Sequence, residues 1–285
     1  MFVIIGAIIV IVSVLGGFMM AGGHPGSLWQ FSEYVVICGS AFGAMITMAP
    51  KKIIIDLFKQ IIGSLKGSPY SKAAYEDLFK ELYELFMLGR RNGMVALEEH
   101  VSNPEASSIF SKYPKLAGNH HALEFLCGGL RPVIDGKVKP DQLKMLLEIE
   151  LSAMDIEHHK PIDVLNKTSD AMPGFGIVAA VLGIVITMGS IAGPVEEIGH
   201  HVASALVGTF LGILISYGFL APLAVNMTFN GDSEMGFFKC VASSVIAFAN
   251  GMAPVMAVEV ARRGLDSGVK PSSEELETML KGIGK

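Results

Sequence analysis

The stretch VASALVGTFLGILISYGFLAPLAVNMT, residues 202–228, contains no Asp, Glu, Lys or Arg. A helix needs about 20 predominantly apolar residues to cross the hydrocarbon core of a bilayer, so this stretch is long enough to span one. Its small residues, among them Gly208 and Gly212, allow a second helix to approach closely. Pro222 interrupts the hydrogen-bond ladder near one end. The stretch therefore predicts a membrane-spanning helix that packs tightly against a neighbour.

Three other stretches have the same character: residues 1–20, 28–49 and 171–192. Glu33 is the only Asp, Glu, Lys or Arg in the four stretches. Short turns, AGGHPGS and GPVEEIGHH, join the first stretch to the second and the third to the fourth. Each pair therefore predicts a helical hairpin, the form in which a chain satisfies its backbone groups inside lipid.

We predict an all-α membrane protein with four transmembrane helices in two hairpins, a large helical cytoplasmic loop and a cytoplasmic C-terminal helix. The predicted domains are a first hairpin (1–50), the loop (51–170), a second hairpin (171–228) and a helical tail (229–285). Proline and glycine residues divide the loop into short helices at six places: Pro69, Gly93, Pro104, Pro114, Gly128 and Pro140.

Composition and charge support the membrane class and set the orientation. Of the 285 residues 51% are apolar and 17% charged, with a mean hydropathy of +0.50. The net charge of −5 argues against a nucleic-acid partner. Sixteen of the 22 Lys and Arg lie between Lys51 and Lys167, and the other six lie from Lys239 onward. The positive-inside rule therefore predicts that the loop and both termini face the cytoplasm.

A fifth apolar stretch, Cys240–Ala261, competes as a membrane span. It contains Asn250, Pro254 and Glu259, and a crossing there would export the positive charges that follow it. We therefore predict a buried cytoplasmic helix rather than a fifth span.

The sequence contains none of the motifs of soluble enzymes that we sought: a Walker loop, a GxSxG elbow, HExxH, or GxGxxG after a strand. Cys38, Cys127 and Cys240 are far apart and indicate no disulfide framework or zinc site. Three pairs of adjacent histidines could suggest a metal site: His120 and His121, His158 and His159, and His200 and His201. Neighbours on a helix point about 100° apart and cannot easily bind one metal ion together, so we favour a solvated or structural role for them. We predict that the chain is not an enzyme.

Two features leave alternatives open on residue evidence alone. The small residues of the third and fourth spans suit either plain helix packing or a narrow wet path. The charges in LGRRNGMVALEEH, namely Arg90, Arg91, Glu98 and Glu99, suit either a docking surface or a solvated helix face. An ion path normally needs a titratable group at depth, and only Glu33 qualifies, near the outer end of its span. If ions pass, the titrating carboxylate comes from another chain.

At these residues the chain resembles the MotA/PomA family of flagellar stator proteins over nearly its whole length. In ALVGTFLGILISYGFLAP, residues 205–222, the family signature is matched by Ala205, Gly208, Thr209, Gly212 and Pro222. Four other segments support the likeness: MMAGGHPGSLWQFSE, LGRRNGMVALEEHVSNPEASSIFSKYP, MPGFGIVAAVLG and NGMAPVMAVEVARRGL.

The resemblance implies a bacterial inner-membrane protein that acts as a homopentamer. The ring would enclose two copies of a MotB-like partner, a single-span subunit that is anchored to peptidoglycan and carries the proton-accepting aspartate. Protons would be the coupling ion, with no further cofactor. The cytoplasmic loop would push on a FliG-like rotor switch protein.

The resemblance also implies roles for individual residues. Pro173 and Pro222 match the kinks at the cytoplasmic mouth of the channel, and Thr209 matches a channel-lining threonine. Ala180 stands where sodium-driven relatives carry another threonine, which implies proton coupling.

In the loop, Arg90 and Glu98 match rotor-contacting charges, while Arg91 and Glu99 stand beside them. Glu150 matches an acidic residue of the loop, and Glu33 also matches the family pattern. Three alternatives stay open: an ExbB/TolQ-like energiser of outer-membrane processes, a secondary transporter, and a structural membrane scaffold.

Overall fold

The computed structural model describes residues 2–283, and within that range it contains helices and no β-strand. The first part of the chain forms α1 (Phe2–Met20), a 3₁₀ turn (Pro25–Leu28), α2 (Phe31–Met48) and α3 (Lys51–Lys66). The middle forms α4 (Lys72–Asn92), α5 (Val95–Ser102), 3₁₀ turns at Pro104–Ala106 and Phe110–Lys112, α6 (Pro114–Ala117) and α7 (His120–Ile134). The last part forms α8 (Pro140–Gly189), α9 (Val195–Ile215), a π-helical turn (Ser216–Leu220), α10 (Ala221–Ala249), α11 (Pro254–Arg263) and α12 (Ser273–Lys281).

Four helical segments are long and apolar enough to cross a bilayer: Phe2–Met20, Pro25–Met48, Pro140–Gly189 and Val195–Ala249. They contain the four predicted spans. The prediction of an all-helical protein with four membrane-spanning segments is therefore confirmed.

The chain divides into two compact units. The membrane unit comprises Met1–Gly67 and Glu157–Asn230, and the loop-and-tail unit comprises Ser68–Ile156 and Gly231–Lys285. The predicted domain limits at residues 170 and 228 fall inside α8 and α10, so neither limit coincides with the end of a helix.

In the membrane unit, apolar side chains form two small clusters. One joins α2 to α8 and α9: Ile37, Ala41, Met172, Ala179, Val207 and Leu211. The other joins α2 and α3 to α8 and α10: Met45, Leu57, Ile162, Leu165, Ala224 and Met227. By contrast, α1 has no buried residue. Apolar side chains that face outward here suit contact with lipid, which is as apolar as they are.

Pro222 is the second residue of α10 and does not end the fourth membrane-spanning helix. The five-residue π turn directly precedes α10, and the N–H of Ala221 donates to the carbonyl of Ser216. A proline has no N–H and its ring clashes with the carbonyl four residues earlier. A π turn widens the helix at this point, and local adjustments of this kind allow membrane helices to tolerate a proline.

In the loop-and-tail unit, α4 supplies the centre of the core. It buries Leu78, Phe79, Leu82, Leu85 and Phe86, which recur at the three- and four-residue spacing of one helix face. They pack against residues of α7, α10 and α11. The loop punctuation is confirmed at its prolines, which precede or begin helices, and at Gly93, which ends α4. The predicted break at Gly128 is wrong, because Gly128 lies within α7.

The two ends of the stretch Cys240–Ala261 are buried in this core, as predicted, but residues 250–253 between them are exposed and the stretch does not form one helix. Its first half ends α10, and α11 begins at Pro254. Between them Gly251 has φ +81°, a conformation that favours glycine. The prediction of a single helix is therefore wrong.

Arg262 joins α11 to the segment that leads into α12. Its guanidinium pairs with Glu259 at 2.7 Å and donates to the carbonyl of Pro271 and the hydroxyl of Ser273. The hydrogen bond from Arg262 lowers the pKa of Glu259 to about 2. These bonds fix the connection between α11 and α12.

Glu81 is an exception in the α4 core. It is fully buried, and neither carboxylate oxygen has a hydrogen-bond partner among the described residues. Burial, with the nearby carboxylates of Glu84 and Asp77, raises its pKa well above the ordinary value. Glu84, one turn along, instead accepts hydrogen bonds from Lys112 and Tyr113, each at 2.7 Å. Glu81 therefore weakens the unit, whereas Glu84 supports it.

We predict that Glu81→Leu raises the free energy of unfolding of the full-length protein by about 1–3 kcal/mol, because it removes an unsatisfied buried group. Folded Glu81 keeps a proton that the unfolded chain has lost above the ordinary carboxyl pKa. Wild-type stability therefore falls as pH rises above the ordinary carboxyl pKa of 4.5, and the variant loses this slope. Thermal unfolding in detergent across that range measures both effects.

Glu84→Leu is the matched control and lowers the unfolding midpoint, because it breaks two bonds. If Glu81→Leu lowered the midpoint as well, the interpretation of Glu81 as an unsatisfied acid would fail.

Candidate functional site

The third and fourth spans meet backbone to backbone. A Cβ atom placed on Gly212 would lie 2.7 Å from the carbonyl oxygen of Met172, and one on Gly176 would lie 2.9 Å from the carbonyl oxygen of Gly208. Real Cβ contacts are essentially never shorter than 3.0 Å. Only glycine therefore allows α8 and α9 to lie this close, as in other tightly packed membrane helices.

Glu33 lies beside this contact. It stands in the first turn of α2 and is 6% exposed. The hydroxyl of Ser204 on α9 donates to its Oε1 at 3.5 Å, while Oε2 is buried without a hydrogen-bond partner among the described residues. A side chain on Gly208 would collide with this carboxylate and crowd Ala179. The glycine at 208 therefore makes room for an acid.

Pro173 explains a second polar contact in the membrane unit. Because proline has no N–H, the carbonyl of Ser169, four residues earlier in α8, loses its helical donor. The hydroxyl of Ser216 donates to this carbonyl at 2.7 Å. In return the hydroxyl of Ser169 reaches the carbonyl of Ser216 at 3.2 Å. A reciprocal serine pair thus ties the proline-containing part of α8 to the π turn.

These contacts follow one sequence pattern. Ser204, Gly208, Gly212 and Ser216 are spaced by four and share one face of the fourth span. Gly208, Gly212 and Ser216 stand out in the sequence as small or polar residues of this span, whereas Ser204 was not predicted. Its spacing of four residues from Gly208 was the signal that could have revealed it.

The predicted channel residues are partly brought together. Thr209 lies against α8, since its Cα would be 3.3 Å from a Cβ placed on Gly176. Thr209 and Ala180 are both half-buried. Pro173 leaves the Ser169 carbonyl free for the hydrogen bond from Ser216. Pro222 is exposed and follows the π turn.

The predicted docking charges sit at a tight corner between α4 and α5. Arg90 and Arg91 end α4, and Glu98 and Glu99 lie in α5. All four are exposed. Gly93 makes the turn with φ +88°. The corner is closely packed on its inner side, because a Cβ on Gly89 would lie 2.8 Å from the Leu97 side chain.

Other polar residues form no comparable site. Glu150 is exposed on α8 in the loop-and-tail unit. The three cysteines are free. Between residues 2 and 283, no three His, Cys, Asp or Glu side chains are grouped so that they could hold a metal ion.

The fold and this site define a multi-pass helical membrane protein in which two spans are pressed together beside buried polar groups. Two family models match the sequence: Motility protein A N-terminal over residues 4–93, and the MotA/TolQ/ExbB proton channel family over residues 118–232.

Relatives match at full length. Motility protein A of Salmonella typhimurium is 37% identical over 99% of this chain and 96% of its own, and that of Escherichia coli is 36% identical with the same coverage. Chemotaxis protein LafT of Vibrio parahaemolyticus is 36% identical over 97% of both chains. The chain therefore belongs to the motility protein A family. The family resemblance is confirmed, and the chain is a motility protein of the proton channel class rather than an enzyme.

Solved structures share the fold. A chain of the Campylobacter jejuni MotAB structure superposes with a TM-score of 0.79 at 20% identity, over 95% of this chain and 98% of that one. A chain of the flagellar MotAB stator complex from Bacillus subtilis gives 0.74 at 22% identity, over 96% and 98%.

We predict that Gly212→Ala separates α8 from α9 and destabilises the full-length protein by about 1–3 kcal/mol, because the new methyl group meets backbone that cannot rotate away. Gly174→Ala, two residues from Gly176 on α8, is the matched control, since its Cβ meets nothing within 4 Å. Thermal unfolding in detergent compares the two. Equal stability of the two variants would contradict the close approach.

Proposed function

We propose that this chain is the membrane subunit of a flagellar motor stator, which conducts protons together with a MotB-like partner and converts their flow into torque on the rotor. The observation that carries the proposal is the full-length relation to motility protein A, at 37% identity, in a chain whose two closest spans pack against a buried acid. The similar solved chains come from structures described as MotAB, one of them a flagellar stator complex.

The partner supplies the acid that this chain lacks at depth. An ion path in a membrane normally requires a titratable group near its middle. The four spans contain Glu33 as their only Asp or Glu, and it lies in the first turn of α2. A single-span, peptidoglycan-anchored subunit with a proton-accepting aspartate would complete the path. Protons rather than sodium are favoured because Ala180 replaces the threonine of sodium-driven relatives.

Several copies of the chain assemble around this partner, and we propose five. In the loop-and-tail unit, α8 exposes Met145, Ile149 and Ile156, each more than half exposed. They lie outside the predicted spans, so lipid does not cover them. Apolar faces of this kind in a soluble region mark contacts with other chains. A neighbouring copy in a ring would bury them.

The corner between α4 and α5 is proposed as the surface that pushes on a FliG-like rotor switch protein. Arg90, Arg91, Glu98 and Glu99 are all exposed at this corner. Both signs of charge are therefore free to meet a complementary pattern, which gives specificity and a defined register. The positive-inside rule predicts that this corner, both chain ends and Glu150 lie in the cytoplasm.

The energiser alternative is less favoured. The MotA/TolQ/ExbB model covers those proteins as well, but residues 4–93 match the N-terminal model of motility protein A, and the full-length relatives are motility and chemotaxis proteins.

Complementation tests the proposal. In a strain that lacks this gene and has no second stator, the wild-type chain co-expressed with its partner is expected to restore swimming. Pro173→Ala is expected to leave flagella assembled but paralysed, because residue 173 regains its N–H and competes with Ser216 for the carbonyl of Ser169. Membrane levels are matched by immunoblot. Normal swimming of the deletion strain would refute the stator function and favour the energiser.

Single charge reversals test the rotor surface. Arg90→Glu, Arg91→Glu, Glu98→Lys and Glu99→Lys are each expressed as the sole copy, and the reversals at contacting positions are expected to reduce swarm diameter severalfold through like-charge repulsion. Asp135→Lys is the control, because its exposed pair with Lys137 contributes little. If all four reversals swam like the wild type at equal membrane levels, the docking role would have to be abandoned.

A further inference from the structure

Glu33 is a buried acid to which the proposed mechanism assigns no role. It is more than nine-tenths buried in the membrane unit, and its Oε2 has no donor among the described residues. An unpaired carboxylate in such surroundings is costly, and acids kept inside membranes commonly mark ion pathways. The space for it exists only because residue 208 is glycine.

A line of polar side chains on α9 leads to this acid. Glu197, His201 and Ser204 recur at four and three residues, so they share one face of the helix. The His201 Nε2 lies 3.8 Å from the Glu197 carboxylate, and the Ser204 hydroxyl lies 3.5 Å from Glu33. The line begins in the turn between the third and fourth spans, where water has access, and ends at the buried carboxylate.

We propose that Glu33 is a proton-binding station of this chain on the outer half of the ion path, supplied along the α9 line of Glu197, His201 and Ser204. The inference rests on the proposed stator function and deepens it, since it adds a second titrating group upstream of the partner's aspartate. The path would then have one carboxyl group contributed by each kind of subunit.

The proton balance is simple. A hydronium ion on the outer side gives its proton to Glu33 and leaves water. The protonated Glu33 passes its proton to the partner's carboxylate and returns to its charged form. The Ser204 hydroxyl from α9 contacts Glu33, and the four predicted spans contain no Lys or Arg that could hold it permanently charged.

The experiment compares Glu33→Gln, which keeps the shape and cannot titrate, with Glu33→Asp, which titrates with a shorter side chain. Each variant is co-expressed with the partner as the only stator, and proton entry is measured as cytoplasmic acidification at several external pH values. We expect Glu33→Gln to lower the flux about tenfold or more and to abolish its dependence on external pH. Glu33→Asp and Ser204→Ala are expected to retain that dependence at reduced flux.

Infrared difference spectra of the chain in membranes, taken between acidic and alkaline external pH, give a readout independent of assembly. A carboxyl C=O band that is present in the wild type and lost in Glu33→Gln supports the proposal. Its presence in both overturns it. Wild-type flux with an unchanged pH profile in Glu33→Gln, or equal loss in Gln and Asp variants with unchanged pH profiles, also overturns it. No flux in the wild type would instead refute the stator function itself.

Discussion

The close contact between α8 and α9 is the constraint on which the membrane unit depends. Inside a bilayer, helices gain little from hiding apolar surface, so they associate through packing and hydrogen bonds. Gly176 and Gly212 bring the two backbones within the distance at which any side chain would collide. Gly208, on the same face, opens the space that Glu33 fills. The same small residues thus provide both helix packing and room for a buried acid.

The prolines of the two spans have different consequences. Pro173 frees the carbonyl of Ser169, and the hydroxyl of Ser216 satisfies it. Pro222 is preceded by the π turn and leaves α10 otherwise continuous. Both defects lie near the predicted cytoplasmic ends of the spans, and Ser216 belongs to both features. The hydrogen bonds between Ser169 and Ser216 would therefore transmit a movement of the π turn to α8.

Hydropathy predicted the four spans because long uncharged stretches have few other stable environments. It did not predict the unit limits, because α8 and α10 each continue past the apolar residues into polar sequence. The π turn and the Ser169–Ser216 pair could not be predicted from the sequence, because they depend on how the residues of two neighbouring helices are aligned with each other. The burial of Glu81 could not be predicted, because acidic residues are almost never fully buried, and only the packing of α4 shows it. Pro173, Thr209 and the charged corner were assigned by resemblance, and their roles stay predictions.

We propose that this chain forms a proton path with its partner and converts the flow of protons into torque. Stall torque of a bead-tethered flagellum tests this directly, with the chain as the sole stator and the proton motive force stepped in sodium-free medium. We expect the torque to rise in proportion to the proton motive force and to vanish when a protonophore collapses it. Torque that survives the protonophore, or that requires sodium, would contradict it.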